Sequence, residues 1–257
     1  LIISEASNLF FLQKHHSFRM NARSIMILPA LLGWGLSVLG QISAPRAEAV
    51  FGGRINAITG IPLGPGSSRI FITTESANSA FYADVAQPAT GAASFGAFQP
   101  LPDMGSSAGL GGGIRSIAAH AASGYLYFIH NNQVKRAHPA GGGILPVSLQ
   151  GASSLLILGD HLLIGRGGQL HFGQLDTSGR YLEMPGSPVS PAGLPGPGFE
   201  IAVNPLSRRV YLFYRGSSPR LFRSSQPLDS LGLGLAFADI SPASLGSGTE
   251  WSAFGVA

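Results

Sequence analysis

The chain has no cysteine at any of its 257 positions. That excludes a disulfide scaffold, a thiolate-ligated zinc or iron–sulfur site and a catalytic cysteine. Charge is scarce as well. Only 11% of the residues are Asp, Glu, Lys or Arg, and Lys135 is the single lysine after Lys14. The basic residues are scattered rather than tracked along a face, so nucleic acid is not an expected partner. Helical periodicity is also missing: outside one N-terminal apolar stretch no window repeats at 3.6 residues. With 36 Gly and 18 Pro, these two residues fill about a fifth of the chain, against a usual share of about 12%. Both weaken helix interiors, which argues against a helical bundle. What remains is a chain whose hydrophobic residues reach 45%, too many for disorder.

The sharpest local signal is at the N-terminal end. Met20-Asn21-Ala22-Arg23 is a short basic start, Ile25 to Gly40 is apolar apart from Pro29 and Ser37, and Ala47-Glu48-Ala49 follows. Basic, apolar and A-x-A segments in that order form a secretory signal peptide, with cleavage expected between Ala49 and Val50. The apolar run is shorter than the roughly 20 residues a spanning helix needs, and Pro29 interrupts it. No later segment is apolar enough to span a bilayer, so no membrane span is expected in the mature chain. Without a cysteine the chain cannot carry a lipoprotein lipid. The domain reading is therefore 1–19 as an upstream extension before the true start at Met20, 20–49 as signal peptide, and 50–257 as the mature domain. Removing the first 49 residues takes away four basic and two acidic side chains, so the net charge falls from +4 to about +2.

The mature chain repeats. Ile117-Ala118-Ala119-His120 through Ser123-Gly124-Tyr125-Leu126-Tyr127-Phe128 aligns without a gap on Ile201-Ala202-Val203-Asn204 through Ser207-Arg208-Arg209-Val210-Tyr211-Leu212, at an offset of 84. A compressed middle unit runs from Leu155 through the turn Gly159-Asp160-His161 to Gly165. An earlier unit runs from Ile55 through Pro62–Gly66 to Ile72, and Trp251 to Ala257 reads as the first strand of a fifth. Each unit holds four short strands. The second, as in Tyr125–Ile129 and Val210–Tyr214, is apolar on both alternate faces and must be covered on both sides. The third, as in Gln133–Arg136, Gln169–Phe172 and Arg220–Arg223, carries polar groups expected nearer a sheet edge. A looser fourth is expected at Gly96–Pro100 and Leu233–Phe237.

Small sheets with two buried faces, repeating every ~40–50 residues, are the pattern of β-propeller blades. The expectation is an all-β, β-propeller-like fold of about four blades plus the start of a fifth, a fragment of a larger propeller. A β-sandwich or β-solenoid is the alternative. The two best units resemble NHL and YWTD-type repeats: Ile201-Ala202-Val203-Asn204-Pro205 with Val210-Tyr211-Leu212 and Leu221-Phe222-Arg223, and Ile117–His120 with Leu126–Phe128 and Val134–Arg136. They depart from that pattern where an acid should follow the aromatic strand, since His130 and Arg215 stand there. The resemblance implies an exported bacterial propeller and leaves its activity open.

No catalytic set emerges. Gly105-Ser106-Ser107-Ala108-Gly109 matches G-x-S-x-G but lacks the flanking strand and helix of a nucleophile elbow. Gly109–Gly113 lacks the helix and Lys-Ser/Thr of a phosphate loop. The histidines 120, 130, 138, 161 and 171 have no helical zinc-site spacing, so neither a metal nor another cofactor is expected. His120 aligns with Asn204 at a turn. The candidate ligand-binding residues are His120, His130 and Asn204. The expected function is a non-catalytic binding or interaction module, exported to the cell surface, periplasm or medium, for an unidentified protein or glycan, with surface anchoring beyond Ala257. The alternative is an exported propeller hydrolase, lactonase-like or glycan-cleaving, for which three or more of Glu75, Asp84, His120, His130 and Asn204 should converge on one axial funnel.

Overall fold

A computed structural model describes residues 9–13, 55–74, 80–90, 92–104, 113–228, 235–242 and 251–256. The expected leader with Ala49 and Val50, together with Glu75 and the Ser107 loop, lies outside the described residues. Nearly all regular structure is β. Strand β1 is Leu9–Gln13. The first four-stranded meander is β2 (Ile55–Gly64), β3 (Ser67–Thr74), β4 (Ala80–Ala86) and an outer position split between β5 (Ser94–Phe95) and β6 (Gln99–Pro100). The second is β7 (Ile114–Ala119), β8 (Leu126–His130), β9 (Gln133–Ala137) and β10 (Ile144–Gln150). The third is β11 (Ala152–Leu158), β12 (His161–Arg166), β13 (Gln169–Leu175) and β14 (Tyr181–Glu183). The fourth is β15 (Glu200–Val203), β16 (Arg209–Tyr214), β17 (Arg220–Pro227) and β18 (Phe237–Asp239). The strand expected to open a fifth unit, β19 (Trp251–Val256), pairs antiparallel with β1.

The chain divides into two compact units. One contains the first two sheets and the tripeptide 177–179; the other contains the third and fourth sheets. In the first unit the two sheets pack through Phe71, Ala80, Leu101, Met104, Ile114, Ile117, Leu126 and Phe128. Their innermost strands touch where Ala119 N–H donates to Thr59 Oγ1 at 3.2 Å. In the second unit Leu163, Leu170 and Phe172 of the third sheet pack on Ile201, Val203, Val210, Leu212 and Phe222 of the fourth.

The offset of 84 holds in the register. Tyr127 lies between Ala118 and Arg136 across its two ladders, and Tyr211 lies between Ala202 and Arg223. Every residue of β8 is buried, as are Val210 to Phe213 of β16, so residues of both parities are covered. The Tyr127 hydroxyl, fully buried, donates to the carbonyl of Gly179. Period-2 alternation thus fails in these two second strands because both of their faces are buried, as in a propeller blade.

Candidate functional site

The first hairpin of the second and fourth sheets ends in the same turn. His120 N–H donates to Tyr125 O at 2.9 Å, and Asn204 N–H donates to Arg209 O at 3.0 Å, again 84 residues apart. The side chain at this position caps the turn. Asn204 Oδ1 accepts from the backbone N–H of Leu206 (3.0 Å) and Ser207 (2.7 Å), an Asx-type arrangement. In the second sheet the His120 Nδ1 lies 2.7 Å from Ser123 Oγ. Both side chains are buried, His120 and Asn204 each at 1% exposure. The next equivalent pair is Gly124, at φ +72°, and Arg208, at φ +52°. The turn demands a left-handed residue there, which glycine adopts without the Cβ penalty that Arg208 bears. Beyond the caps the tips are exposed. In the fourth sheet the tip is Pro205-Leu206-Ser207, with Leu206 at 85%.

His130 sits at the other end of the second sheet from His120. It is the last residue of β8, opposite Ile114 and Gln133. It is 2% exposed, and Lys135 Nζ is 3.0 Å from its Nδ1. The two-residue connection Asn131-Asn132 has positive φ at both positions, the type I′ signature that suits a tight hairpin. On β4, Asp84 is taken by a bidentate pair with Arg69, at 2.6 and 2.9 Å. The Arg69 hydrogen bond holds the Asp84 carboxyl below its usual range. His120 and His130 therefore do not come together. Asp84 is engaged on the exposed side of the first sheet, and Asn204 belongs to the other unit.

One polar cluster was not assembled from the sequence. On the outer half of the third sheet, Glu183 Oε1 accepts from Ser187 Oγ at 2.7 Å and lies 2.9 Å from His171 Nδ1. Burial alone would raise the Glu183 carboxyl. Hydrogen bonds from Ser187 and His171, with the charge of Arg166, outweigh it and hold the carboxyl below its usual range. Burial, with the nearby Glu183 charge, pushes the neighbouring Tyr181 phenol up. A hydrolytic serine needs a general base, most often an imidazole, to accept its hydroxyl proton. Here the Ser187 hydroxyl donates a hydrogen bond to the Glu183 carboxylate, and its oxygen accepts from Phe172 N–H at 3.0 Å. The cluster fastens the segment after β14 to β13, a role shared by the reciprocal Leu170–Val189 backbone bonds. The signal was present only as a histidine on a third strand and an acid twelve residues on. Among the described residues no group of three or more His, Asp or Glu is placed to hold a metal ion.

No protein-family profile matches the sequence, and no curated protein matches it. Solved structures do. The chain is similar to PorZ, an essential bacterial surface component of the type-IX secretion system of Porphyromonas gingivalis, at 16% identity and a TM-score of 0.38, over 74% of this chain and 23% of that one. It is similar to a putative 6-phosphogluconolactonase from Bacteroides uniformis at 10% identity and a TM-score of 0.42, over 72% and 70% of the two chains. It is also similar to AztD from Citrobacter koseri at 11% identity and a TM-score of 0.40, over 79% and 49%. The chain thus spans under a quarter of PorZ and about half of AztD. At these levels the fold assignment stands on the protein's own sheets: four antiparallel meanders of propeller-blade type.

Proposed function

We propose that the protein is an exported, non-catalytic β-propeller module that binds a protein or glycan through the tips of its blade hairpins. The observation that carries this reading is the capped tip of the fourth sheet. Asn204 spends its side-chain oxygen on two turn amides, Pro205 stiffens the first exposed position, and Leu206 is thereby held out at 85% exposure. An apolar anchor already ordered before binding loses little entropy on contact. On this reading His120 and Asn204 serve binding by fixing the tips. The basic, apolar and A-x-A segments ending at Ala49 support export, and the NHL- and YWTD-like residues of the two best units support an exocytoplasmic propeller. Among the described residues no helix is long and apolar enough to cross a membrane. Arg215, which stands where those repeats carry an acid, pairs instead with Glu200 at 3.1 Å.

The test begins with the protein recovered from outside expressing cells, whose N-terminus should read from Val50. Its binding to the surface proteins and polysaccharides of the producing cell is then measured. Leu206→Asp should weaken binding by at least about tenfold, the scale of a buried anchor, with an unchanged melting temperature. Asn204→Ala should weaken it less and cost about 1 kcal/mol of stability through the lost turn bonds. Binding indifferent to Leu206→Asp, or ester or lactone hydrolysis that follows the protein through purification, would count against this reading.

A further inference from the structure

The face of the second sheet that packs on the first carries a titratable group, His130, that has no acceptor for a second ring proton among the described residues. We infer that His130 is an acid-sensitive pin of this seam, holding the two sheets together while its ring is neutral and loosening them when the ring takes up a proton. Such a pin does not depend on the proposed function.

The geometry sets the protonation. His130 shares its face of the sheet with Ile114 and Phe128, which pack against Phe71 and Ala80 of the first sheet. An ammonium has donors only, so Lys135 Nζ at 3.0 Å requires a lone pair on Nδ1. The single ring proton must then sit on Nε2, which is buried and has no hydrogen-bond partner among the described residues. A second proton on Nδ1 would point N–H at N–H, place two positive charges in contact, and gain no acceptor at either nitrogen. Burying an unpaired charge in this way is costly. Burial first, and the Lys135 charge second, already hold the imidazole below its ordinary range.

The surrounding charges do not relieve this. On β7, Arg115 is exposed and reaches Asn132 Oδ1 at 3.5 Å. On β9 the nearest charge is Lys135 itself. Across the seam, β2 has no charged residue, and Arg69 of β3 is paired with Asp84 of β4, four register positions from the Thr73 end. Asp103, in the short turn beside the buried Met104, accepts from Gly143 N–H at 2.8 Å. A carboxylate free to neutralise a protonated His130 is therefore missing among the described residues.

A histidine whose folded pKa lies below its unfolded value of about 6.5 is protonated first in the unfolded chain. Its contribution is fully present above pH ~6.5 and is lost as pH falls from there toward the folded value, by up to about tenfold in the folding constant per pH unit.

The test is thermal unfolding of the full chain from pH 8 to pH 5, with His130→Gln and Lys135→Met beside the wild type, and an NMR titration of the His130 ring. The amide oxygen introduced by His130→Gln still accepts from Lys135 but does not titrate. His130→Gln should therefore flatten the fall in melting temperature between pH 6.5 and 5, and Lys135→Met should reduce it. In the wild type the ring should titrate below 6.5, a readout that stands even where His130→Gln does not fold. A ring that titrates at or above 6.5 in the folded protein, or a fall unchanged in His130→Gln, overturns the inference.

Discussion

Phe128→Ala should cost about 3–5 kcal/mol, the usual range for emptying a buried aromatic site. Phe128 is fully buried at the middle of β8, between Ile117 and Lys135 in the register, and its ring lies in the cluster that joins the first two sheets. The strands on either side are pinned by their ladders and cannot close over the vacancy. The equivalent Leu212→Ala in the fourth sheet should cost about 2–5 kcal/mol. Leu212 holds the same place between Ile201 and Phe222 and is equally buried. Chemical denaturation of the two variants measures both. A loss below about 1 kcal/mol at either position would mean that one face of that strand is open to solvent, contrary to the blade description.

The second large effect is expected at Gly173. A Cβ there would press on the backbone carbonyl of Leu182 and stand 2.6 and 2.8 Å from ring carbons of Tyr181. Gly173 faces Glu183 across the β13–β14 ladder, so relief requires β14 to move away. That movement also breaks the Glu183 contacts with His171 and Ser187. Gly173→Ala should destabilise by about 1–3 kcal/mol, the overpacking range, and should open residues 176–190 to limited proteolysis. Gly64→Ala is the control. Its Cβ would meet nothing within 4 Å, and the change should stay within about 0.5 kcal/mol. Equal protease resistance in Gly173→Ala and the wild type would show that β14 is not held as described.

The inner strands were legible because burial on two faces leaves a mark in the residues themselves. Leu126–Ile129 and Val210–Phe213 have no polar parity, and the 84-residue offset placed His120 on Asn204 and Gly124 on Arg208 correctly. The third strands were legible for the opposite reason. Gln133, Lys135 and Arg136, or Arg220 and Arg223, appear where the sheet approaches solvent. The outer strands were less so. Tyr181–Glu183 and Phe237–Asp239 are three residues long, have one neighbour each and are partly exposed, so neither apolar pattern nor length marks them. Of the fourth strand expected at Leu233–Phe237, Leu233 and Gly234 lie outside the described residues, Leu235 and Ala236 are irregular, and the strand runs from Phe237 to Asp239. Unequal connections hid the period as well: the second, third and fourth sheets start at Ile114, Ala152 and Glu200, the last after the coil 184–199.

The candidate site was less legible than the fold because its contacts depend on register. His171 meets Glu183 only through the length of the β13–β14 hairpin. Lys135 meets His130 diagonally across a two-residue turn, on the same face of the sheet. The residue types were visible in the sequence, whereas their pairing required the exact count of turn residues. The resulting partnerships explain why three histidines with no shared spacing have three separate tasks: His120 in a turn, His130 in a seam and His171 on a third strand, tied to Glu183 of the outer one.

Amide hydrogen exchange of the intact chain tests the modular description most directly. Residues 126–130 and 210–213 should exchange together among the slowest in the molecule, and residues 181–183 and 237–239 much faster, because the former are enclosed by strands and side chains on every side while the latter have one ladder. Exchange at 126–130 or 210–213 as fast as in those outer strands, or widely different rates for the two central segments, would contradict it.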